Sequence, residues 1–180
     1  LTCSSCPTGR FNNGTGKTQC DLCQTGYFAS DLGQTVCTAC SAGTFASIPG
    51  ASVCSACRPG TFTNVNATIT CSSCGLGEYQ DQPGRKECKS CARGYYSGAP
   101  AQSACLPCGI GYYTNVTHST NCTACAAGSV APLSGSSECS PCAAGEYQPS
   151  NGQGTCVQCP TGQFQNVTGS ISCRSCPTGD

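Results

Sequence analysis

The sequence lacks most of what an ordinary globular core requires. It contains no Trp and no Met, and Val, Ile, Leu and Phe together supply only 22 of its 180 residues. That share is well below the roughly 20% under which chains without other support tend to stay disordered. Burial of apolar surface alone therefore does not offset the conformational entropy of ordering this chain, and another source of stability is needed.

Charge is also scarce, and this excludes several classes of partner. Eight Lys and Arg residues balance eight Asp and Glu residues, and the basic ones are spread along the sequence. A nucleic-acid partner, which requires clustered basic residues, is not expected. No apolar run approaches the ~20 residues of a membrane-spanning helix, so this segment is expected to have no membrane span. Because it also lacks a starting Met and a signal peptide, we interpret the sequence as an internal fragment.

Cysteine is the residue type present in excess. The chain has 22 cysteines, a share above the roughly 8–10% that marks a disulfide scaffold. Disulfides at this density persist only in an oxidising compartment, which predicts an extracellular or cell-surface location.

The cysteines follow a strict 17-residue period. Each C-x-x-C pair begins one such period after the previous pair, from Cys3 to Cys173, without an insertion or deletion. This regularity defines a continuous tandem array over 1–180. The repeats are 3–19, 20–36, 37–53, 54–70, 71–87, 88–104, 105–121, 122–138, 139–155 and 156–172, followed by a partial repeat, 173–180.

Other positions are fixed in the same frame. A first glycine, from Gly9 to Gly179, lies three residues after every second cysteine, which implies a positive φ or a backbone approach too close for a Cβ. An aromatic residue follows two positions later, except at Val130. A second glycine position, beginning with Gly16, lies seven residues after the first and is occupied elsewhere by Ala67, Ala101 and His118. The four residues between the aromatic and the second glycine vary and favour turn formers.

These features predict a small disulfide-rich repeat fold. We expect an elongated rod or solenoid of 17-residue units, with short β segments and turns and little or no helix. Each aromatic ring is expected to pack on the disulfides, so that rings and sulfurs of neighbouring repeats form one thin core. At Val130, the smaller side chain predicts a locally looser but unbroken array.

Translational symmetry favours one disulfide pairing. Joining each second cysteine to the next first cysteine keeps the 17-residue period and closes loops worth roughly 3 kcal/mol each. Bonds within C-x-x-C are an alternative, and pairing first with third cysteines would give a 34-residue unit. The favoured scheme leaves Cys3 and Cys176 unpaired and joins Cys6 to Cys20, Cys23 to Cys37, Cys40 to Cys54, Cys57 to Cys71, Cys74 to Cys88, Cys91 to Cys105, Cys108 to Cys122, Cys125 to Cys139, Cys142 to Cys156 and Cys159 to Cys173.

Sugar acceptors are the positive chemical signal. Asn-x-Ser/Thr predicts N-glycosylation at Asn13, Asn66, Asn115 and Asn166. A fifth match, at Asn121, is weaker because Cys122 occupies its middle position. Asn13, Asn115 and Asn166 share one place in the variable turn, which suggests a sugar-bearing face. Zinc binding by paired C-x-x-C motifs is disfavoured by the fixed glycine and aromatic positions. We expect no metal site, no catalytic residues and no cofactor beyond covalent glycans; His118, the single histidine, is interpreted as an exposed turn residue.

The run CPTGRFNNGTGKTQCDLC, from Cys6 to Cys23, resembles the cysteine-rich repeats of ephrin-receptor ectodomains. It is also similar to the one-disulfide module of tumour-necrosis-factor receptors, C-x-x-G-x-[FY] with a closing Cys, and that resemblance implies the same pairing. Receptors interleave different modules, whereas this array is uniform and resembles surface and fibre proteins of microbial eukaryotes, such as the hair-like appendages of algal flagella.

The expected function is that of a structural glycoprotein subunit of an extracellular fibre, appendage or surface coat. Its expected partners are copies of itself or other fibre or coat subunits. The alternative is a receptor or adhesin ectodomain that binds a protein or glycan ligand. An enzyme is not expected.

Overall fold

A computed structural model of the chain describes residues 5–14 and 17–177. Within these ranges all regular structure is β, in twenty two-residue strands. Cys3, Gly16 and Gly179 lie outside the described residues.

The strands form ten two-stranded sheets, one for each disulfide-bonded loop. Odd-numbered strands hold the residue at the aromatic position and the residue before it, and even-numbered strands hold the two residues between the cysteines of C-x-x-C. The strands are β1 Arg10–Phe11, β2 Asp21–Leu22, β3 Tyr27–Phe28, β4 Thr38–Ala39, β5 Thr44–Phe45, β6 Ser55–Ala56, β7 Thr61–Phe62, β8 Ser72–Ser73, β9 Glu78–Tyr79, β10 Lys89–Ser90, β11 Tyr95–Tyr96, β12 Leu106–Pro107, β13 Tyr112–Tyr113, β14 Thr123–Ala124, β15 Ser129–Val130, β16 Ser140–Pro141, β17 Glu146–Tyr147, β18 Val157–Gln158, β19 Gln163–Phe164 and β20 Arg174–Ser175.

The hairpins are antiparallel and share one register. In the first, Arg10 pairs with Leu22 and Phe11 with Asp21. The turn into the odd strand is closed by a hydrogen bond such as that from the Thr44 N–H to the Ser41 carbonyl, at 2.9 Å. The first glycine is the third residue of this turn and has a positive φ, which is the geometry of a type II turn. This explains why a glycine precedes every odd-numbered strand.

Consecutive repeats are joined by backbone hydrogen bonds between equivalent positions. The first-glycine N–H donates to a carbonyl of the next repeat, that of the residue after the aromatic position. An example is the bond from the Gly26 N–H to the Ala46 carbonyl at 2.8 Å. The N–H of that residue donates in turn to a carbonyl one repeat further on, that of the residue after the second-glycine position. An example is the bond from the Ala46 N–H to the Thr68 carbonyl at 3.1 Å. The second-glycine N–H donates to the backbone carbonyl of the second cysteine in the preceding loop, as from the Gly50 N–H to the Cys23 carbonyl at 2.7 Å. These bonds satisfy the backbone polar groups that short strands would otherwise leave unpaired.

The buried core differs from the predicted core of rings and sulfurs. It consists mainly of the second cysteines, of which Cys23 to Cys125 are fully buried, and of the residue after most aromatic positions; Val130 and Ser119 are buried as well. That second component comprises Ala29, Ala46, Thr63, Gln80, Ser97, Thr114, Ala131, Gln148 and Gln165. The rings at the aromatic position are half-buried, except Phe164, which is 38% exposed. The prediction that the rings form the core was therefore wrong, because the backbone bonds bring the next residue, not the ring, between repeats.

Two compact units make up the chain. One contains Leu1–Gly75, Tyr79–Lys89 and Pro100–Ala104, and the other contains Leu76–Glu78, Ser90–Ala99 and Cys105–Asp180. The same hydrogen-bond pattern recurs in both units. A small disulfide-rich repeat of short strand pairs is thus confirmed as the fold class, while the elongated rod stays a prediction.

Candidate functional site: the disulfide-linked repeats and their exposed turns

Ten disulfides link the repeats, from Cys6–Cys20 to Cys159–Cys173, and each has the same sequence separation of 14. These are the pairs that translational symmetry favoured. Their Cα–Cα distances are 5.7–5.8 Å, so the bonds occupy equivalent positions. Cys176 is free and exposed.

Each disulfide inside the array has one shielded and one accessible end. Second cysteines such as Cys57 and Cys91 are fully buried, whereas their partners Cys71 and Cys105 are half-buried. The buried cysteine also donates its N–H to the first-glycine carbonyl of the preceding hairpin loop, as from Cys57 to Gly43 at 2.9 Å. Because the sulfur is held between repeats, a reductant has restricted access to that end of the bond.

The first glycines make a contact that reaches beyond the adjacent repeat. A Cβ on Gly60 would overlap the carbonyl oxygen of Ala101 and lie 2.7 Å from its carbonyl carbon. Ala101 occupies the second-glycine position two repeats later. Eight first glycines, from Gly9 to Gly128, have such a contact. Gly145 and Gly162 have nothing within 4 Å, because the equivalent positions two repeats later lie beyond residue 180. Packing between repeats therefore includes the second neighbour as well as the first.

The two glycine positions differ in the space around them rather than in backbone conformation. The first glycines from Gly9 to Gly162 have φ between +74° and +91°, and the second-glycine replacements Ala67, Ala101 and His118 have φ of 56–63°. Both positions are thus left-handed, which is unfavourable for residues with a side chain. The first position never varies because a Cβ there also meets backbone in most repeats, whereas at Gly84 the nearest atom is the Ala56 Cβ at 3.7 Å.

The buried position after the aromatic was missed by sequence reasoning. Its residues are chemically mixed, and those with polar side chains form hydrogen bonds within their own loop. The Gln80 side chain donates to the Glu87 carbonyl at 2.7 Å and accepts from the Gln82 N–H at 3.1 Å. Gln148 and Gln165 do the same in their loops. The recurrence of Gln at one place in the 17-residue frame is the signal that could have identified this position.

All four predicted sugar acceptors are exposed: Asn13, Asn66, Asn115 and Asn166. The Asn66 side-chain oxygen accepts the Ala42 N–H at 2.9 Å and so supports the preceding repeat. Asn151 does the same for Ala127 at 2.8 Å. Because a glycan attaches through the amide nitrogen, the hydrogen bond through the Asn66 oxygen is compatible with modification.

The single histidine has a defined environment in its turn. The His118 Nδ1 atom lies 3.3 Å from the Ser90 hydroxyl and 3.9 Å from a Glu78 carboxylate oxygen. The imidazole is half-exposed. Both polar neighbours face the same ring nitrogen, so the three residues do not form a relay in which an acid orients the base through its second nitrogen.

Val130 occupies the aromatic position without disturbing the array. Its side chain is 7% exposed, and the hairpin formed by β15 and β16 keeps the common register. Gly128 and Ala131 retain their hydrogen bonds to Gln148 and Gln153, at 2.8 and 3.2 Å. The continuity expected at this position is thus present, and the expected loosening is not visible in these bonds.

Among the described residues 5–14 and 17–177, no group of three or more His, Cys, Asp or Glu is arranged to hold a metal ion. The same part of the chain has no helix that could span a membrane.

Ten equivalent disulfide-bonded hairpins with a 17-residue period define a tandem cysteine-rich repeat protein. A family model described as "Tyrosine-protein kinase ephrin type A/B receptor-like" matches residues 9–57, 60–100, 83–125, 94–137 and 128–176. No curated protein matches the chain significantly. The chain belongs to the ephrin-receptor-like repeat family, as its Cys6–Cys23 run indicated. Its disulfides and its family indicate an extracellular or secreted domain.

Proposed function

We propose that the chain is a structural glycoprotein segment of an extracellular fibre, appendage or surface coat. The uniformity of the array carries this proposal: ten disulfides, ten hairpins and the hydrogen bonds between repeats recur without an inserted module. A repeat that contacts its first and second neighbours distributes load over many equivalent bonds. Each closed loop adds roughly 3 kcal/mol against unfolding.

Glycans on the exposed turns complete this proposal. The acceptor residues Asn13, Asn115 and Asn166 share one turn position and are exposed. Sugars at that position would cover part of the surface and hinder proteolysis of the turns. No catalytic residue, metal or cofactor is part of the proposed function, and the proposed partners are copies of the chain or other subunits of the same assembly.

Electron microscopy of native material tests the proposal, with antibodies against the repeats to locate the protein. Regular labelling along fibres or within a coat is expected. Labelling confined to separate particles on a cell membrane would contradict a fibre or coat role. The matched control is the same labelling after preabsorption with the purified 180-residue chain.

A receptor or adhesin ectodomain is the second candidate, and one observation favours it besides the family. An open cleft of about 560 Å³ is lined by Phe11, Leu22, Tyr27 and Val36, with Asn13 and Asp21 also in its wall. Aromatic faces beside polar groups suit a sugar or peptide ligand. Because Asn13 lines the cleft, a glycan there would obstruct it. Ligand binding that disappears in Phe11→Ala and is unaffected by Phe62→Ala would favour the ectodomain.

A further inference from the structure

Half of the eight basic residues lie around one turn of the first unit, so the interpretation that the basic residues are spread along the sequence was wrong for this segment. Arg85 and Lys86 follow Gly84 in this turn, and Lys89 lies just beyond Cys88. The Gly84 N–H donates to the Cys57 carbonyl at 2.8 Å, which brings the turn to the residue preceding Arg58. The four residues are called the basic turn cluster: Arg58, Arg85, Lys86 and Lys89.

The backbone that presents this cluster is fixed from several sides. The buried Gln80 side chain bonds the Glu87 carbonyl and the Gln82 N–H across the loop. The disulfide Cys74–Cys88 closes the same loop. From the preceding repeat, the Thr63 N–H donates to the Arg85 carbonyl at 3.3 Å. A ligand therefore meets an ordered backbone, which lowers the entropic cost of binding.

Part of the positive charge is not neutralised within the protein. Lys89 bonds a carboxylate oxygen of Asp81 at 2.7 Å and lies 5.7 Å from the centre of the Tyr79 ring. The hydrogen bond from Lys89, with the charge of nearby Arg85, lowers the pKa of the exposed Asp81 carboxyl. Arg85 donates to the Gln82 side chain. Among the described residues, Arg58 and Lys86 have no ion pair.

A concavity lies beside three of the four cluster residues. Its volume is about 360 Å³, and it is lined by Gln80, Gly84, Arg85, Lys86, Glu87 and Lys89. Counting Asp81 and Glu87 against the four basic residues leaves a net positive charge of two at this surface. The planar guanidinium of Arg and the ammonium of Lys are the donors that bind sulfate and carboxylate groups.

We propose that the basic turn cluster is a binding site for an acidic polysaccharide, one that carries sulfate or carboxylate groups. This binding goes beyond the proposed structural function. A polysaccharide fits better than an acidic protein, because the residues that line the concavity include no large aliphatic or aromatic side chain. Protein interfaces rely on buried apolar anchors. A flexible polyanion requires only spaced cations on an accessible surface, and all four basic residues are exposed.

The test measures calorimetric binding of the oxidised 180-residue chain to heparin, to polygalacturonate and to neutral dextran, at low and physiological salt. Heparin carries both sulfate and carboxylate groups, whereas polygalacturonate carries carboxylates only, so binding of heparin without binding of polygalacturonate indicates recognition of sulfate. Dextran should not bind. The Arg85→Gln/Lys86→Gln variant should bind at least about tenfold more weakly at low salt. The slope of log K against log salt should fall by roughly one unit for each cation removed from the interface.

The matched control is Arg10→Gln/Arg174→Gln, which removes the same charge elsewhere and should keep near-normal affinity. Equal losses in the two variants would show that net charge alone drives binding and would overturn the site. Failure of both polyanions to bind the unmodified chain would overturn it as well. Tighter binding of poly-glutamate than of either polysaccharide would assign the cluster to an acidic protein instead. A cysteine-linkage map of each variant confirms that all ten disulfides have formed.

Discussion

Replacing Gly60 by Ala tests the contact between a repeat and its second neighbour. Gly60 and Gly145 occupy the same position, with φ of +82° and +88°. Each donates its N–H to a carbonyl at 2.7 Å and accepts a cysteine N–H at 2.9 Å. A Cβ on the buried Gly60 meets the Ala101 carbonyl, whereas a Cβ on the exposed Gly145 meets nothing within 4 Å. The position equivalent to Ala101 lies beyond residue 180 for Gly145, so the 180-residue chain has no second-neighbour contact there. Gly145→Ala is therefore a control for the backbone cost alone.

The expected loss of stability in each variant follows from two costs, that of the left-handed backbone and that of the overlap with the Ala101 carbonyl. A side chain in the left-handed region costs roughly 1–2 kcal/mol, and both variants carry this cost. At Gly60 the backbone must also shift away from the Cβ, and such overpacking costs roughly 1–3 kcal/mol more. We expect Gly60→Ala to destabilise its surroundings by about 2–5 kcal/mol and Gly145→Ala by about 1–2 kcal/mol.

Native-state hydrogen exchange with the disulfides intact provides the assay, because it reports local opening free energies. The Cys74 N–H, which donates to the Gly60 carbonyl, is compared with the Cys159 N–H, which donates to the Gly145 carbonyl. Relative to the unmodified chain, exchange at Cys74 should accelerate by roughly 5- to 150-fold more than exchange at Cys159. Equal accelerations would refute a structural role for the second-neighbour contact and leave only the left-handed backbone to explain the glycine.

Three further predictions concern the disulfides, the sugars and the second glycine position. Reduction of the ten disulfides should abolish the circular dichroism of the fold and expose the turns to protease, whereas EDTA should have no effect; stoichiometric zinc in purified protein would contradict this. Glycosidase treatment in heavy-oxygen water should convert Asn13, Asn115 and Asn166 to labelled Asp in peptide mass spectra, and unmodified Asn at all three would reject a sugar-bearing face. Ala101→Gly should raise the free energy of unfolding by up to about 1 kcal/mol, because relief of the left-handed strain exceeds the added entropy of the unfolded chain; Ala29→Gly, outside the left-handed region, is the control and should destabilise.

Symmetry made the covalent framework predictable. A strict 17-residue period leaves few pairings that treat all cysteines alike, and the structure has Cys23 joined to Cys37 and Cys40 to Cys54, as that symmetry favoured. The short strands followed from the aromatic position, since the turn chemistry on either side limits their length. These features depend on positions where the same residue type recurs in all or nearly all repeats, and such recurrence can be read directly from the sequence.

The core could not be predicted in the same way, because its second component repeats by location and not by residue type. Ala46, Thr63 and Gln80 occupy equivalent buried places, yet they share neither hydrophobicity nor volume. What recurs is the backbone bond each makes to the next repeat, and any side chain that satisfies itself inside the loop is compatible with it. Hydrophobic patterning, the usual guide to a core, has nothing to detect at such a position.

Only part of the basic turn cluster arises from an offset between repeats: Arg85, Lys86 and Lys89 are close in the sequence, whereas Arg58 comes from the preceding repeat. Arg58 and Arg85 each lie one residue beyond a hydrogen-bonded pair, the Cys57 carbonyl and the Gly84 N–H. Equivalent pairs recur along the array, so adjacent repeats display a different combination of side chains on one conserved backbone. Repetition fixes the fold, and the residues at the meeting positions are free to vary. In such a molecule, specific binding is to be sought where unlike turns meet, because substitutions there leave the disulfides, the glycine contacts and the backbone hydrogen bonds unchanged.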